Sequence, residues 1–209
     1  METSATVHVV DDDAAVRDSL RVLLETAGFI VRTHASAAAL LAVGPEPGGC
    51  VLSDVRMPEI DGLELQRRLH ASGISLPVIL MTGHGDIPIA VRAMKAGAVD
   101  FLEKPFDEDQ LLDAVRRALE ESRRLHENDA IAAYAAGRLA QLTPREREVL
   151  DLLVSGCSTK AIARALGASP RTIEVHRARV FEKLHAESLP ELVRLVLAAD
   201  PEGAQRSVG

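Results

Sequence analysis

The 209-residue chain lacks the residue patterns that mark secreted, membrane-spanning and zinc-binding proteins. It contains only two cysteines, Cys50 and Cys157, in different halves of the chain, which give neither a disulfide framework nor a metal-ligand cluster. No apolar run approaches the ~18 residues that a membrane span needs. Residues 1–5 also lack the basic and apolar character of a signal peptide. We therefore expect a cytoplasmic protein that makes no use of a membrane.

The charge of the chain is unevenly distributed. Its formal net charge is −7, and 47% of its residues are hydrophobic, which is ordinary for a globular protein. Within residues 156–185, however, basic side chains outnumber acidic ones by six to two. Overall acidity argues against indiscriminate coating of nucleic acid, whereas a confined basic region permits a directed contact. The plainer alternative is a solvated helix face.

Apolar periodicity divides the chain into two regimes. Up to about residue 105, short β-branched runs alternate with stretches of helical period, which predicts βαβ units and a parallel sheet covered on both faces. Gly28, Gly73 and Gly97 follow three of these helices as expected left-handed caps. The predicted strands lie near residues 7–10, 30–33, 50–53, 76–81 and 98–102, and the helices near 14–27, 36–42, 61–71 and 86–96.

Helical patterns continue without strands beyond Phe106. Residues 107–136 contain neither glycine nor proline, and four short helical patterns follow within residues 143–198. We therefore predict an α/β domain over 1–122, a helical linker over 123–139 and a small all-helical domain over 140–209, which ends in a short tail.

Polar side chains stand at the ends of four predicted strands. Asp11, Asp12 and Asp13 follow the first strand, Asp54 ends the third, Thr82 the fourth and Lys104 the fifth. In an open parallel sheet these strand ends meet at one edge, where ligands bind. Clustered carboxylates repel one another unless a cation lies between them, and oxygen ligands of this kind suit Mg²⁺. With a hydroxyl and an ammonium beside it, such a carboxylate can accept a phosphoryl group. Taken singly, an Asp run after a strand is more often a helix N-cap or a solvated loop, and a lone Thr or Lys at a strand end usually has no function.

Four segments resemble the receiver domain of two-component response regulators. They are Val9–Asp13, Asp54–Pro58 with Gly62, Met81–Asp86 and Phe101–Phe106, and the resemblance covers residues 6 to about 122. The segment Thr82–Asp86, together with residues 93–101, is most similar to the FixJ-type branch. The resemblance implies a flavodoxin-like domain with a five-stranded parallel sheet in the order 2-1-3-4-5.

The resemblance also assigns roles to the residues at the strand ends. Asp54 would accept phosphate from a cognate histidine kinase, and the side chain of Lys104 would pair with that phosphate. The peptide bond between Lys104 and Pro105 would be cis. Thr82 and Phe101 would form the switch, although a plain core aromatic is the alternative for Phe101. His84 would influence hydrolysis of the phosphate, or simply lie in an exposed loop. Mg²⁺ would be held by the carboxylates of Asp11, Asp12 and Asp54 and the backbone carbonyl of Arg56.

The helical region carries the pattern of a helix-turn-helix. Thr143, Pro144 and Glu146 form a capping box at the start of its first helix. A short helix then ends at Gly167, and a more basic helix follows the turn. Residues 142–150, 160–163 and 169–176 resemble the LuxR-type DNA-binding domain, which would cover residues 140–198.

This second resemblance implies particular DNA contacts. Glu174, Val175 and Ala178 would face base edges in the major groove, where Glu174 can accept a hydrogen bond from a cytosine amine. Arg177 would contact either a base or a phosphate. Thr159 departs from the asparagine common in FixJ-like relatives. The phosphate contacts would come mainly from Lys160, Arg171, Thr172, His176, Arg179 and Lys183.

Together the resemblances imply a phosphorylation-activated transcription factor rather than an enzyme, with slow loss of its own phosphate as its only catalysis. Phosphorylation would pair two chains through a surface around Val91, Lys95 and Phe101, and the helix at 189–198 would support a dimer on a palindromic site. The implied partners are a histidine kinase, double-stranded DNA, a second copy of the chain and RNA polymerase.

Two other functions use the same residues. One is a Mg²⁺-dependent phosphohydrolase with an aspartyl-phosphate intermediate, for which the sequence offers no separate general acid. The other is a constitutive DNA binder whose receiver does not switch.

Overall fold

The computed structural model describes residues 5–45, 48–83 and 87–199. The chain divides into an N-terminal unit, Met1–His126, and a C-terminal unit, Glu127–Gly209. The helix Glu108–Leu139 begins in the first unit and ends in the second. The division at residues 122 and 139 that the sequence indicates stays a prediction.

The N-terminal unit is built on five parallel strands in the order β2-β1-β3-β4-β5. This confirms the predicted fold class and strand order. The elements are β1 Thr6–Val10, α1 Ala14–Thr26, β2 Ile30–His34, α2 Ala37–Val43, β3 Cys50–Asp54, α3 Gly62–Ala71, β4 Val78–Thr82, α4 Ile87–Lys95, β5 Asp100–Glu103 and α5 Glu108–Leu139.

Helices cover both faces of this sheet. On one face Val9 and Leu52 pack with Leu24, Leu111 and Val115 of α1 and α5. The other face packs against α2, α3 and α4. Because the central strands are buried on both sides, their sequences are continuous apolar runs rather than alternating ones. Gly28, Gly73 and Gly97 have φ values of 91°, 70° and 88°, which confirms the predicted left-handed caps.

The position of Gly62 requires a glycine, because its backbone lies close to the end of β3. Gly62 is the first residue of α3, and a Cβ atom there would lie 2.5 Å from the carbonyl oxygen of Asp54. Its own N–H donates to the carbonyl of Val55 at 3.0 Å. Any larger residue would push α3 away from the end of β3, so Gly62 fixes the loop that follows Asp54.

The C-terminal unit is helical in its described part, as the sequence predicts. The Thr143 capping box is present, with both reciprocal hydrogen bonds to Glu146. Leu139 at the end of α5 packs with Leu150, Val180 and Leu192, so the end of the predicted linker contributes to this core. The further helices are α6 Pro144–Val154, α7 Thr159–Ala165, α8 Pro170–Leu184 and α9 Leu189–Ala199.

Across the described residues, no helix is long and apolar enough to cross a membrane.

Candidate functional site

The ammonium of Lys104 joins two carboxylates at the carboxyl edge of the sheet. Its Nζ donates to Asp54 Oδ1 at 2.6 Å and to Asp11 Oδ2 at 3.0 Å. Asp54 ends β3, Asp11 follows β1, and Lys104 follows β5 with its N–H bonded to the carbonyl of Thr82. The strand order therefore brings together groups that are as much as 93 positions apart.

Backbone groups and one arginine hold the two carboxylates in place. The N–H of Arg56 donates to Asp54 Oδ2 at 2.7 Å, and the N–H of Asp13 donates to Asp11 Oδ1 at 2.9 Å. From α1, the Arg17 guanidinium donates to the Asp11 carbonyl at 2.7 Å. Asp54 keeps one side-chain oxygen beside the ammonium and the other beside the following loop, which fixes the direction of its carboxylate.

The pKa of Lys104 is raised above its ordinary value. Burial of the ammonium lowers this pKa, but hydrogen bonds and charge interactions with Asp54 and Asp11 outweigh burial. Lys104 thus stays cationic at neutral pH. The cluster of one ammonium and two carboxylates retains a net negative charge, which attracts a further cation.

The Thr82 hydroxyl lies at the end of β4, next to this cluster in the sheet. Thr82 is 1% exposed, and its Oγ1 has no hydrogen-bond partner among the described residues. A buried hydroxyl without a partner costs free energy that a ligand oxygen can recover. The hydroxyl is therefore a donor available to a group bound at this edge.

Phe101 lies on β5, and Pro105 follows that strand. The Phe101 ring is half-buried against the core that α3 and α4 cover, and its N–H donates to Asp100 Oδ1. The Lys104–Pro105 peptide bond is cis, as the resemblance implies. His84 lies outside the described residues.

The donor set at the edge suits Mg²⁺, although the described side chains do not form a complete metal cage. Asp11 and Asp54 offer only oxygen ligands, which is the chemistry that Mg²⁺ prefers. Asp12 is exposed, and within the described ranges no group of three or more His, Cys, Asp or Glu side chains is arranged to hold a metal ion. The ion would thus complete its shell with waters and phosphate oxygens.

Helix α8 presents most of the predicted DNA contacts to solvent. Ile173, Val180 and Leu184 form its buried side. Val175, an apolar residue, is 48% exposed on the opposite side. The exposed predicted contacts are Lys160 on α7 and Arg171, Thr172, Glu174, Val175, Ala178 and Arg179 on α8.

Lys183 makes two contacts within the C-terminal unit. Its ammonium donates to Glu146 Oε2 at 2.6 Å and to the carbonyl of Gln141 at 3.2 Å. The hydrogen bonds from Lys183 and from the Thr143 backbone lower the pKa of the buried Glu146 from 4.5 to about 2. Lys183 therefore ties the end of α8 to the start of α6. Its contact with a DNA phosphate stays a prediction.

Two other predicted contacts on α8 are half-buried. His176 has its Nδ1 shielded from solvent, with no partner among the described residues. Arg177 donates to Thr159 Oγ1 at 2.6 Å. The sequence did not show the contact between Arg177 and Thr159, since apolar periodicity reports which side of a helix is buried but not which distant group a polar side chain meets.

Known proteins match both units of this chain. The family model of the response regulator receiver domain matches residues 7–116, and that of the LuxR family of bacterial regulatory proteins matches residues 140–196. The transcriptional regulatory protein FixJ of Azorhizobium caulinodans is 53% identical over 200 residues, or 95% of each chain. FixJ of Bradyrhizobium diazoefficiens is 50% identical, over 95% of this chain and 98% of its own.

Solved structures of response regulators are also similar to this chain. The response regulator StyR aligns with a TM-score of 0.79 at 43% identity, covering 93% of this chain and 98% of its own. Full-length FixJ from B. japonicum aligns with a TM-score of 0.58 at 50% identity, covering 94% and 98%.

The fold and the edge of carboxylates, hydroxyl and ammonium define a response regulator, a class whose receiver domains generally use Mg²⁺ for phosphorylation. The chain belongs to the FixJ-type response regulators, which are phosphorylation-activated transcriptional regulators with a LuxR-type DNA-binding domain. Such regulators are transcription factors, and the alternatives of a phosphohydrolase and a constitutive DNA binder are not favoured.

Proposed function

We propose that Asp54 is the phosphoacceptor of this regulator and that a histidine kinase is the donor. The observation that carries the proposal is the Lys104 ammonium shared between Asp54 and Asp11. Beside it lies the Thr82 hydroxyl, which has no hydrogen-bond partner in the described part of the chain. An Asp54 oxygen attacks the phosphorus of a phosphohistidine, the P–N bond breaks as the new O–P bond forms, and the imidazole leaves and takes a proton from solvent. Lys104 neutralises charge on the transferring group.

The side chains of Asp11, Asp12 and Asp54 and the backbone carbonyl of Arg56 would hold Mg²⁺ here, together with waters and phosphate oxygens. When bound, the ion neutralises the phosphoryl oxygens. The chain itself orients Asp54 through the Arg56 N–H and fixes the Asp11 loop through Arg17.

Thr82 and Phe101 carry the signal away from Asp54. A phosphoryl oxygen offers the Thr82 hydroxyl an acceptor, which draws Thr82 at the end of β4 inward and leaves space for the Phe101 ring. The surface that responds includes Val91 and Lys95 on α4, both exposed. We assign to this surface the phosphorylation-dependent pairing of two chains.

DNA binding belongs to α8. Glu174, Val175 and Ala178 face the base edges, while Lys160, Arg171, Thr172, His176 and Arg179 contact mainly phosphates. A dimer doubles these contacts on a palindromic site, and α9, with Leu189 and Leu197 exposed, supports it there. The regulator acts on RNA polymerase at its promoters, which places it in the cytoplasm with the chromosome. Beyond slow hydrolysis of its acyl phosphate, we assign it no catalysis.

The Asp54→Asn variant tests the proposal, because it removes the nucleophile and preserves the shape of the side chain. We expect a small-molecule acyl phosphate with Mg²⁺ to shift the wild-type chain from monomer to dimer in light scattering, and to leave the variant unchanged. Asp113→Asn, at an exposed position of α5, is the matched control and should dimerise normally. Equal dimerisation of Asp54→Asn and wild type would refute the assignment of Asp54.

The DNA contacts have their own test. Glu174→Ala should alter the sequences that a random duplex library enriches, because a base contact is removed. Arg171→Gln should weaken binding to all duplexes alike, since a phosphate contact carries no sequence information. An unchanged enriched sequence with Glu174→Ala would contradict the base contact.

A further inference from the structure

Arg177 lies on a different side of α8 from the residues proposed to read bases. It follows the buried Ile173 by four positions, which places it only about 40° away around a helix of 3.6 residues per turn. Glu174, Val175 and Ala178 are exposed, whereas Arg177 is half-buried. Its side chain therefore runs over the inner side of the helix rather than outward from it.

The inner position brings Arg177 to the first residue of α7. Its Nη1 donates to the hydroxyl of Thr159 at 2.6 Å. Thr159 does not cap its own helix, because Ser158 is the N-cap and its Oγ accepts from the N–H of Ala161. The Thr159 hydroxyl is thus left to hold the guanidinium.

The hydrogen bond to Thr159 leaves the positive charge of Arg177 available to an anion. No carboxylate pairs with it in the described part of the chain, and only one of its five N–H donors is used by Thr159. Lys160, the next residue on α7, is exposed and also cationic. In a helix-turn-helix the first helix crosses the DNA backbone, so the anion that meets the start of α7 is a phosphate.

We propose that Thr159 is a positioning residue that fixes Arg177 beside the start of α7, where Arg177 binds a DNA phosphate and not a base. The inference deepens the DNA-binding function proposed above and rests on it. It decides between the two roles that the sequence leaves open for Arg177. A preordered arginine loses less side-chain freedom when it meets DNA.

Three single variants and one double variant separate the roles of Arg177 and Thr159. Arg177→Met removes the charge, and Thr159→Val removes the hydroxyl at nearly constant shape, while Thr159→Ser restores it. The probes are a duplex enriched from a random library by the phosphorylated full-length wild-type chain and an unrelated duplex of equal length. Affinity for both is measured over a series of KCl concentrations, after thermal unfolding has shown each variant to be folded.

Arg177→Met should weaken binding to both duplexes by the same factor, about tenfold, and reduce the salt slope by about 0.9, the value for one phosphate contact. Thr159→Val should weaken both by about threefold and keep the slope, Thr159→Ser should behave as wild type, and the double variant should be no weaker than Arg177→Met. A changed ratio between the two duplexes with Arg177→Met would make Arg177 a base reader. Additive losses in the double variant would show that Thr159 does not act through Arg177.

The wild-type chain and Glu174→Ala distinguish this inference from the function on which it rests. If wild type prefers the enriched duplex, Glu174→Ala loses that preference and Arg177→Met changes nothing, only the role of Arg177 is overturned. If wild type does not distinguish the duplexes, the proposed base contacts fail, and the inference fails with them.

Discussion

The two units of this regulator assemble their functional surfaces in opposite ways. In the N-terminal unit, Asp11, Asp54, Thr82 and Lys104 come from four strand ends and meet only because the sheet is ordered β2-β1-β3-β4-β5. In the C-terminal unit, the proposed base and phosphate contacts fall mainly within one helix, residues 170–184. Phosphorylation therefore requires a complete sheet, whereas DNA recognition can change by single substitutions on one exposed helix face.

Each unit also contains a lysine engaged with carboxylates, and the charge balance differs. Lys104 faces two carboxylates, which leaves net negative charge for a metal ion. Lys183 faces one, Glu146, and that pair is neutral. The first arrangement can recruit a further ligand, while the second only fastens α8 to α6. The difference indicates that local charge balance, and not burial alone, separates a reactive cluster from a structural one.

The largest effect is expected at the cluster of Lys104, Asp11 and Asp54, where the charges do not balance. Lys104→Met preserves the length of the side chain and removes its charge, so the transferring phosphoryl group loses an electrostatic partner. We expect phosphorylation by an acyl phosphate to slow by about a hundredfold, measured as the phosphorylated fraction in intact-protein mass spectra over time. Lys160→Met, in the other unit, should phosphorylate at the wild-type rate. Normal phosphorylation of Lys104→Met would remove the distinction between the two lysines.

The neutral pair of Glu146 and Lys183 should affect the stability of the C-terminal unit and not phosphorylation. Glu146→Gln should destabilise the C-terminal unit by about 1–3 kcal/mol, since Lys183 loses its charged partner. Because the pKa of Glu146 is lowered from 4.5 to about 2, its contribution is complete above pH 4.5 and disappears as the pH falls towards 2. Hydrogen exchange of peptides from α6 and α8 would measure this loss. A Glu146→Gln variant whose stability still declines through that pH range as wild type does would contradict the assignment.

A smaller effect is expected from a pair of buried histidines in the N-terminal unit. His8 Nδ1 and His34 Nε2 lie 3.1 Å apart on neighbouring strands. Burial, followed by repulsion from His34 and Arg32, lowers the pKa of His8 from 6.5 to about 4. The unfolded chain thus takes up a proton first, and stability declines as the pH falls from 6.5 to about 4.

His8→Asn should remove about 1–2 kcal/mol of that pH dependence, measured by hydrogen exchange of peptides from β1 and β2. His70→Asn, at an exposed position, should keep the wild-type pH dependence. An unchanged pH dependence in His8→Asn would show that the imidazole pair does not titrate on unfolding.

The sequence was sufficient where topology decides position. The ends of parallel strands must share an edge, so Asp54, Thr82 and Lys104 could be placed near one another before any coordinates. Helical periodicity likewise predicted the short helices of the C-terminal unit. It could not reveal that Lys183 contacts Glu146, 37 positions away, because the partner of a side chain depends on how two helices pack. The contact of His8 with His34 could not be predicted from the sequence either, because His8 interrupts a run of valines in a strand that is buried on both faces.

The two cysteines differ in a way that makes them natural reporters. Cys50 starts β3 in the centre of the sheet and is fully buried, and burial raises the pKa of its thiol to about 12, so at neutral pH almost no thiolate is available for alkylation. Cys157, just after α6, is only half-buried. A maleimide added to the native chain should therefore modify Cys157 first, and the appearance of a second adduct would time the opening of the sheet without any engineered label.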